Sequence, residues 1–188
     1  MPRQRPSAPW LFLPVLGAPL AHAPVLTFDL LKPLKRPIDG GRTLGGRRIL
    51  GDNKTWRGAL VMFSGVLAAS AALHRVDAYT RRLPPDVREA GPLMTGALLG
   101  LATVAGEFPN SFAKRRLRIA PGGHRGGPAG VAIAIVDQAD FVLAAWPLLA
   151  PVHRMSVRDV ATAFATVAAV HVPINLVGYL VGARESPI

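Results

Sequence analysis

The stretch GGPAGVAIAIVDQADFVLAAWPLLA, residues 126–150, decides how this chain folds. As a helix it is long enough to cross a hydrocarbon core of about 30 Å, and its only formal charges are Asp137 and Asp140. An ionised carboxylate at mid-bilayer costs on the order of 3 kcal/mol on insertion scales, so both acids are expected to face the protein interior or a wet cavity. Their i, i+3 spacing puts them on one helix face. Two hard oxygen ligands on one face suit Mg²⁺, which takes one or two carboxylates and completes its octahedron with water and substrate phosphate. The competing reading is a structural ion pair with Arg125 or another basic residue.

Working outward, the same texture repeats. Half of the 188 residues are hydrophobic and mean hydropathy is +0.30, yet the formal charge is +11. These values coexist because charge-free runs alternate with arginine-dense loops, the signature of a polytopic membrane protein. Five spans are expected, at about 6–28, 58–73, 90–106, 126–150 and 160–183, in one all-α integral membrane domain covering residues 1–188. The second is short, about 24 Å as a helix, and relies on Lys54, Arg57 and Arg75 snorkelling at its ends. Pro14, Pro19 and Pro24 predict a broken, protein-buried first segment.

Lys and Arg are distributed unequally between the loops. Loops 29–57 and 107–125 and the tail carry fourteen, against eight on the other side. The imbalance predicts that these loops and the C-terminus are cytoplasmic and the N-terminus is outside, in the cell (plasma) membrane. A signal peptide ending at Ala21-His22-Ala23 is the alternative for the start of the chain, but cleavage there would export the eight basic residues of loop 29–57. The basic charge is explained by topology and anionic lipid. No aromatic-interleaved basic stripe points to nucleic acid. With no cysteine, disulfide frameworks, Cys-ligated zinc and thiol catalysis are excluded.

Loop 29–57 contains Gly40, Gly41, Gly45, Gly46 and Gly51 among Arg42, Arg47, Arg48, Lys54 and Arg57. Glycines can turn backbone N–H groups toward an anion, and Lys54-Thr55 precede a helix whose N-terminus adds partial positive charge. The loop is therefore read as a polyphosphate grip, the plainer alternative being a solvated positive-inside loop. It is not a Walker loop: Asp52 and Asn53 separate Gly51 from Lys54-Thr55, and no strand is expected before it. After the third span, Glu107 stands at the membrane boundary beside the basic run Lys114-Arg115-Arg116. In the fifth, His171 and Asn175 share a face and suit hydrogen bonding between helices. Gly96-x-x-x-Gly100, Gly126-x-x-x-Gly130 and Gly178-x-x-x-Gly182 permit close helix approach and leave a homodimer possible.

Taken in order, Asp39-Gly40-Gly41-Arg42, Gly51 to Gly58, Asn110 to Leu117, Val136 to Phe141 and the tail from His171 to Pro187 resemble the CDP-archaeol synthases. These are related to the CDP-diacylglycerol synthases, whose Lys-Thr-Trp-Glu-Gly and Ser-x-x-Lys-Arg signatures are echoed at 54–58 and 111–115. The resemblance implies a multi-pass membrane cytidylyltransferase that joins CTP to a lipid phosphate, phosphatidate or an ether-lipid analogue, and releases pyrophosphate with Mg²⁺. One departure stands out: the family usually has Gly-Asp where this chain has Gly106-Glu107.

On that basis Asp137, Asp140 and Lys54 are expected to be catalytic, and Asp137 and Asp140 with Glu107 to hold Mg²⁺. Lys54, Arg47 and Arg48 are expected to grip the triphosphate. Lys114, Arg115 and Arg116 take the lipid phosphate or the leaving pyrophosphate, and Asp52, Thr55 and Ser111 complete the substrate-binding set. The alternative from another class is a non-enzymatic member that binds lipid or nucleotide. A CDP-alcohol phosphotransferase is excluded because its Asp-x-x-Asp-Gly signature meets Arg36 where an acid is required, and no internal repeat suggests a transporter.

Overall fold

The computed structural model describes residues 8–120 and 127–180; for residues 8, 127–135, 138, 139, 168 and 170–180 it describes backbone only. The fold is mostly helical, and the described parts of the expected apolar segments lie largely in helical stretches. Among the described residues, Pro9–Thr27 and Trp56–Leu73 are long and apolar enough to cross a membrane. The first segment is broken, as its prolines predict. Helix α1 (Ala8–Phe12) passes through a 3-10 turn at Leu13–Leu16 into α2 (Gly17–Thr27), with Pro24 inside α2.

Helix α3 (Trp56–Leu73) starts at an extended Thr55, whose hydroxyl accepts from the Gly58 N–H at 3.2 Å, an N-cap bond that satisfies one otherwise orphaned donor. After a single turn, α4 (Asp77–Thr80), comes α5 (Pro85–Arg116), bent where Gly91 leaves helical geometry (φ 77°, ψ 175°) just before Pro92. Beside the bend the Val87 carbonyl accepts from the Thr95 hydroxyl at 3.4 Å, and the Ser70 hydroxyl of α3 donates to the Pro92 carbonyl at 2.9 Å. Helices α6 (Gly127–Leu149) and α7 (Val157–Leu180) follow.

The core joins first segment to fourth: Leu11, Phe12, Val66, Leu99, Phe141, Val142, Ala145 and Leu149 are all buried, and Phe12 meets Phe141 edge to face at 6.0 Å. Gly96 and Gly100 bring α5 against Leu67, Ser70 and Phe63 of α3, so this small-residue pair is used within the chain. Residues 126 and 182 lie outside what is described, as do the side chains of His171 and Asn175.

Two expectations are corrected. Residues 107–116, read as the start of a loop, continue α5 for more than two further turns. Charge marks where a helix leaves the bilayer but does not end it, and Ala113, Lys114, Arg115 and Arg116 are good helix formers. The helical fold also carries one short hairpin in loop 29–57, where no strand was expected. Thr43–Leu44 (β1) pairs antiparallel with Arg47–Arg48 (β2), and the two-residue turn is Gly45-Gly46, with φ of 58° and 71°. Positive φ at both positions is the type I′ hairpin requirement, which glycine meets without strain.

Candidate functional site

The hairpin is organised around a carboxylate that sequence reading left without a role. Asp39, with only 2% of its side chain exposed, accepts from the backbone N–H groups of Gly41 (3.0 Å), Leu50 (3.0 Å) and Gly51 (3.3 Å) and pairs with Arg48 Nη2 at 2.7 Å. Burial works against its charged form, but the Arg48 guanidinium and the three N–H donors outweigh this and hold its pKa down at about 2. The glycine-rich loop thus turns its N–H groups toward an anion, and that anion is its own Asp39. Arg48 also pairs with Asp52. At the end of the loop Arg57, nearly buried, donates to Asp29 at 2.7 Å and to the Leu30 carbonyl at 3.0 Å, tying the start of α3 to the end of the first segment.

The far end of α5 carries the hairpin. Arg116 donates to the Leu44, Arg47 and Arg48 carbonyls, Arg47 donates back to the Arg116 carbonyl, and the Arg116 guanidinium lies 5.0 Å over the Phe112 ring. This arginine, expected on a phosphate, serves as the clamp between loop and helix. The helix ends in a Schellman-type turn, with Ile119 N–H on the Lys114 carbonyl (2.9 Å) and Arg118 N–H on the Arg115 carbonyl (3.3 Å). Arg118 occupies the left-handed position (φ 61°) where glycine is usual.

One helix face of α5 then meets loop and α6 together. Lys54 Nζ donates to Glu107 Oε2 at 2.6 Å. One turn on, the Asn110 amide nitrogen donates to Asp137 and, at a long 3.5 Å, to Asp140; one turn further Lys114 pairs with Asp137. The close approach is allowed by Gly106: a Cβ there would stand 2.7 Å from Phe141 Cα and 2.9 Å from the Asp140 carbonyl oxygen. From α2, His22 Nε2 lies 3.6 Å from where a Gly58 Cβ would be, at the foot of α3 beside Lys54's loop. Asp140 is half-buried against α5, whereas Asp137, with 43% of its side chain exposed, touches protein through Asn110 and Lys114.

The Asn110 amide nitrogen touches an oxygen of Asp137 and, at 3.5 Å, one of Asp140, so the two carboxylates meet the same side chain of α5. Among the described residues no group of three or more His, Cys, Asp or Glu is arranged around a metal. Glu107, expected as the third ligand, instead pairs with Lys54.

Comparison with known proteins follows the same outline. The CarS-like CDP-archaeol synthase family model matches residues 11–188. The chain belongs to the CDP-archaeol synthase family. A CDP-archaeol synthase of Halobacterium salinarum is 35% identical over 158 residues, covering 81% of this chain and 83% of the relative. Those of Methanosarcina barkeri (33% identical; 81% and 90% covered) and Aeropyrum pernix (34%; 81% and 79%) are similar too. A solved structure described as an intramembrane enzyme for archaeal membrane lipids biosynthesis superposes with a TM-score of 0.64 at 29% identity, over 89% of this chain and 91% of that one.

In this family member, then, the expected residues fall into two groups. Lys54, Glu107, Asp137, Asp140 and Lys114 converge on one face of α5, whereas Arg47, Arg48, Asp52 and Arg115 line a cavity under the hairpin. Thr55 caps α3, and Ser111 is buried in α5 between the groups. Asn110, Asp39 and Arg118 went unassigned in sequence. Asn110 had a signal, since it stands three residues after Glu107 and four before Lys114 and so shares their face. Asp39 and Arg118 act through tertiary contacts, for which spacing offers none.

Proposed function

We propose that this chain is a membrane cytidylyltransferase that joins CTP to a lipid phosphate, giving CDP-lipid and pyrophosphate. The observation that carries the reading is the convergence of Lys54, Glu107, Asn110, Lys114, Asp137 and Asp140 where α5 meets α6, in a member of the CDP-archaeol synthase family. In the reaction an oxygen of the lipid phosphate attacks the α-phosphorus of CTP in line. A new P–O bond forms, the bond from the α-phosphorus to the bridging oxygen of the β-phosphate breaks, and pyrophosphate leaves. Both reactants are anions, so charge neutralisation and alignment are the enzyme's main work and no covalent nucleophile is needed.

Lys54 supplies positive charge at the phosphates and is aimed by Glu107. Asp137 and Asp140 are the carboxylates that would hold Mg²⁺, with Glu107 the neighbouring acid. When bound, the ion would supply Lewis-acid neutralisation of phosphate oxygens. Lys114 and Asn110 keep the two aspartates oriented toward α5. The charge bias of the loops supports five spans, the reactive face toward the cytoplasm, an outside N-terminus and residence in the cell membrane, where CTP from water meets a lipid headgroup. The relatives' name makes an isoprenoid ether-lipid phosphate the first acceptor to offer and phosphatidate the second.

The test uses purified full-length chain with labelled CTP, Mg²⁺ and each lipid phosphate in turn. CDP-lipid and stoichiometric pyrophosphate are expected with at least one acceptor. CTP binding with no pyrophosphate release from either would instead establish a non-enzymatic binding protein.

A further inference from the structure

Arg116 is engaged by the hairpin carbonyls and Lys114 by Asp137, so two of the three cations expected at the lipid phosphate have other partners. A group from another element stands beside Lys54 and Glu107 instead. His22 is a half-buried imidazole on α2, and among the described residues neither of its ring nitrogens makes a hydrogen bond. Its Nε2 lies 3.6 Å, and its Cε1 4.0 Å, from the point a Gly58 Cβ would occupy, with Thr55 Oγ1 3.5 Å from the same point. The charges close enough to act on the ring are those of Glu107, Arg57 and Lys54.

The ring is held on a rigid support. Just before it α2 meets α3 backbone to backbone: a Cβ on Gly17 would stand 2.2 Å from the Gly65 carbonyl oxygen, and one on Gly65 would stand 2.7 Å from Ala21 Cβ. On the other flank of α2, Leu20, Ala23 and Leu26 are exposed, an apolar surface that in a bilayer faces acyl chains. His22 therefore stands on the seam between lipid and the charged cluster.

We infer that His22 is an acceptor-binding residue, donating a hydrogen bond from Nε2 to the phosphate of the lipid that attacks CTP. The inference rests on the cytidylyltransferase reading and adds to it a residue for the headgroup. Position along α5 favours the lipid phosphate over the nucleotide. Glu107 stands at the membrane end of the charged stripe, and Arg115 lies two turns on, about 12 Å along the axis toward water. A nucleotide arriving from water meets the arginine end first. A headgroup held by its chains in the bilayer reaches the Glu107 end, where His22 is. His22 transfers no proton in this role: the ring N–H donates, a phosphate oxygen accepts, and the charge on that oxygen strengthens the bond.

The experiment measures binding of labelled phosphatidate, an isoprenoid ether-lipid phosphate and inorganic phosphate to the purified full-length chain in mixed micelles, with no turnover required. Native protein, His22→Ala and His22→Gln are compared. Alanine is a good helix former, so α2 is kept, which a thermal melt in detergent verifies. His22→Ala should bind at least one lipid phosphate roughly tenfold more weakly, the scale of one charged hydrogen bond, and His22→Gln, whose amide also donates, should recover part of the loss. In steady state the KM for lipid phosphate rises in His22→Ala while that for CTP stays. Unchanged lipid-phosphate affinity in His22→Ala overturns the inference, as does a rise confined to the KM for CTP. A loss seen only with inorganic phosphate, a loss in His22→Gln as complete as in His22→Ala, or native protein that binds neither lipid phosphate overturns it too. If the native chain binds lipid phosphate yet makes no CDP-lipid, the enzymatic reading fails separately, because the His22 contact is read without turnover.

Discussion

Lys54 and Glu107, 53 positions apart in sequence, form an ion pair of 2.6 Å that joins the loop before α3 to the middle of α5. Both side chains are substantially shielded, with 17% and 32% of their surface exposed. The pair fixes an ammonium group against the same helix, α5, whose Asn110 and Lys114 hold the α6 aspartates. It also gives the Gly106-Glu107 departure a physical meaning: the longer acid reaches the lysine.

Replacing Lys54 by Met should therefore lower turnover by about 100-fold, while Glu107→Asp, one methylene shorter, should lower it by about tenfold, the range spanned by a charged hydrogen bond of 1.5–3 kcal/mol. A double-mutant cycle on CDP-lipid formation checks the coupling. Additive effects would mean that Glu107 does not act through Lys54.

Asp39 predicts a pH response of the hairpin. Its folded pKa, about 2, lies below the ordinary 3.8, so the stability it contributes is fully present above about 3.8 and is lost as pH falls toward 2. Protection of the Leu50 and Gly51 amides, followed by hydrogen exchange corrected for intrinsic rates, should fall over that window. Asp39→Asn should lack the response and lose about 1–3 kcal/mol of local stability at neutral pH.

Gly106→Ala should separate α5 from α6. The added methyl meets backbone atoms at 2.7 and 2.9 Å, and backbone cannot rotate away as a side chain can. Overpacking of this kind costs about 1–3 kcal/mol. A lowered melting temperature in detergent should accompany a loss of turnover, because Asn110 would no longer reach both aspartates.

Divalent-ion removal should abolish CDP-lipid formation, with Mg²⁺ restoring it. Asp137→Asn should raise the Mg²⁺ concentration for half-maximal activity at least about tenfold, as loss of one of two anionic ligands implies. Full turnover at unchanged Mg²⁺ dependence in that variant would remove the metal assignment.

The helices were legible because apolar runs and prolines act locally. The break at Pro14 and the shared helix face of Asp137 and Asp140, on which both meet Asn110, follow from proline's missing N–H and from i, i+3 spacing, whereas α2 runs on through Pro19 and Pro24. The continuation of α5 was not legible, since hydropathy reports the membrane boundary and the helix ignores it. The hairpin carried its sign in Gly45-Gly46, but strand residues as polar as Arg47 and Arg48 show no alternation to confirm it. Roles that depend on which distant groups meet stayed hidden: Arg116, read as a phosphate ligand, donates Nη1 and Nη2 to three carbonyls, and Asp39, part of a motif only, satisfies the loop from within.

The unbroken run of α5 past Glu107 makes it a ruler. Glu107, Asn110, Lys114 and Arg115 are graduations on one rigid rod, so the intervals between the groups that meet the loop, the α6 carboxylates and the hairpin are set by helical rise and none of them can be moved without the others.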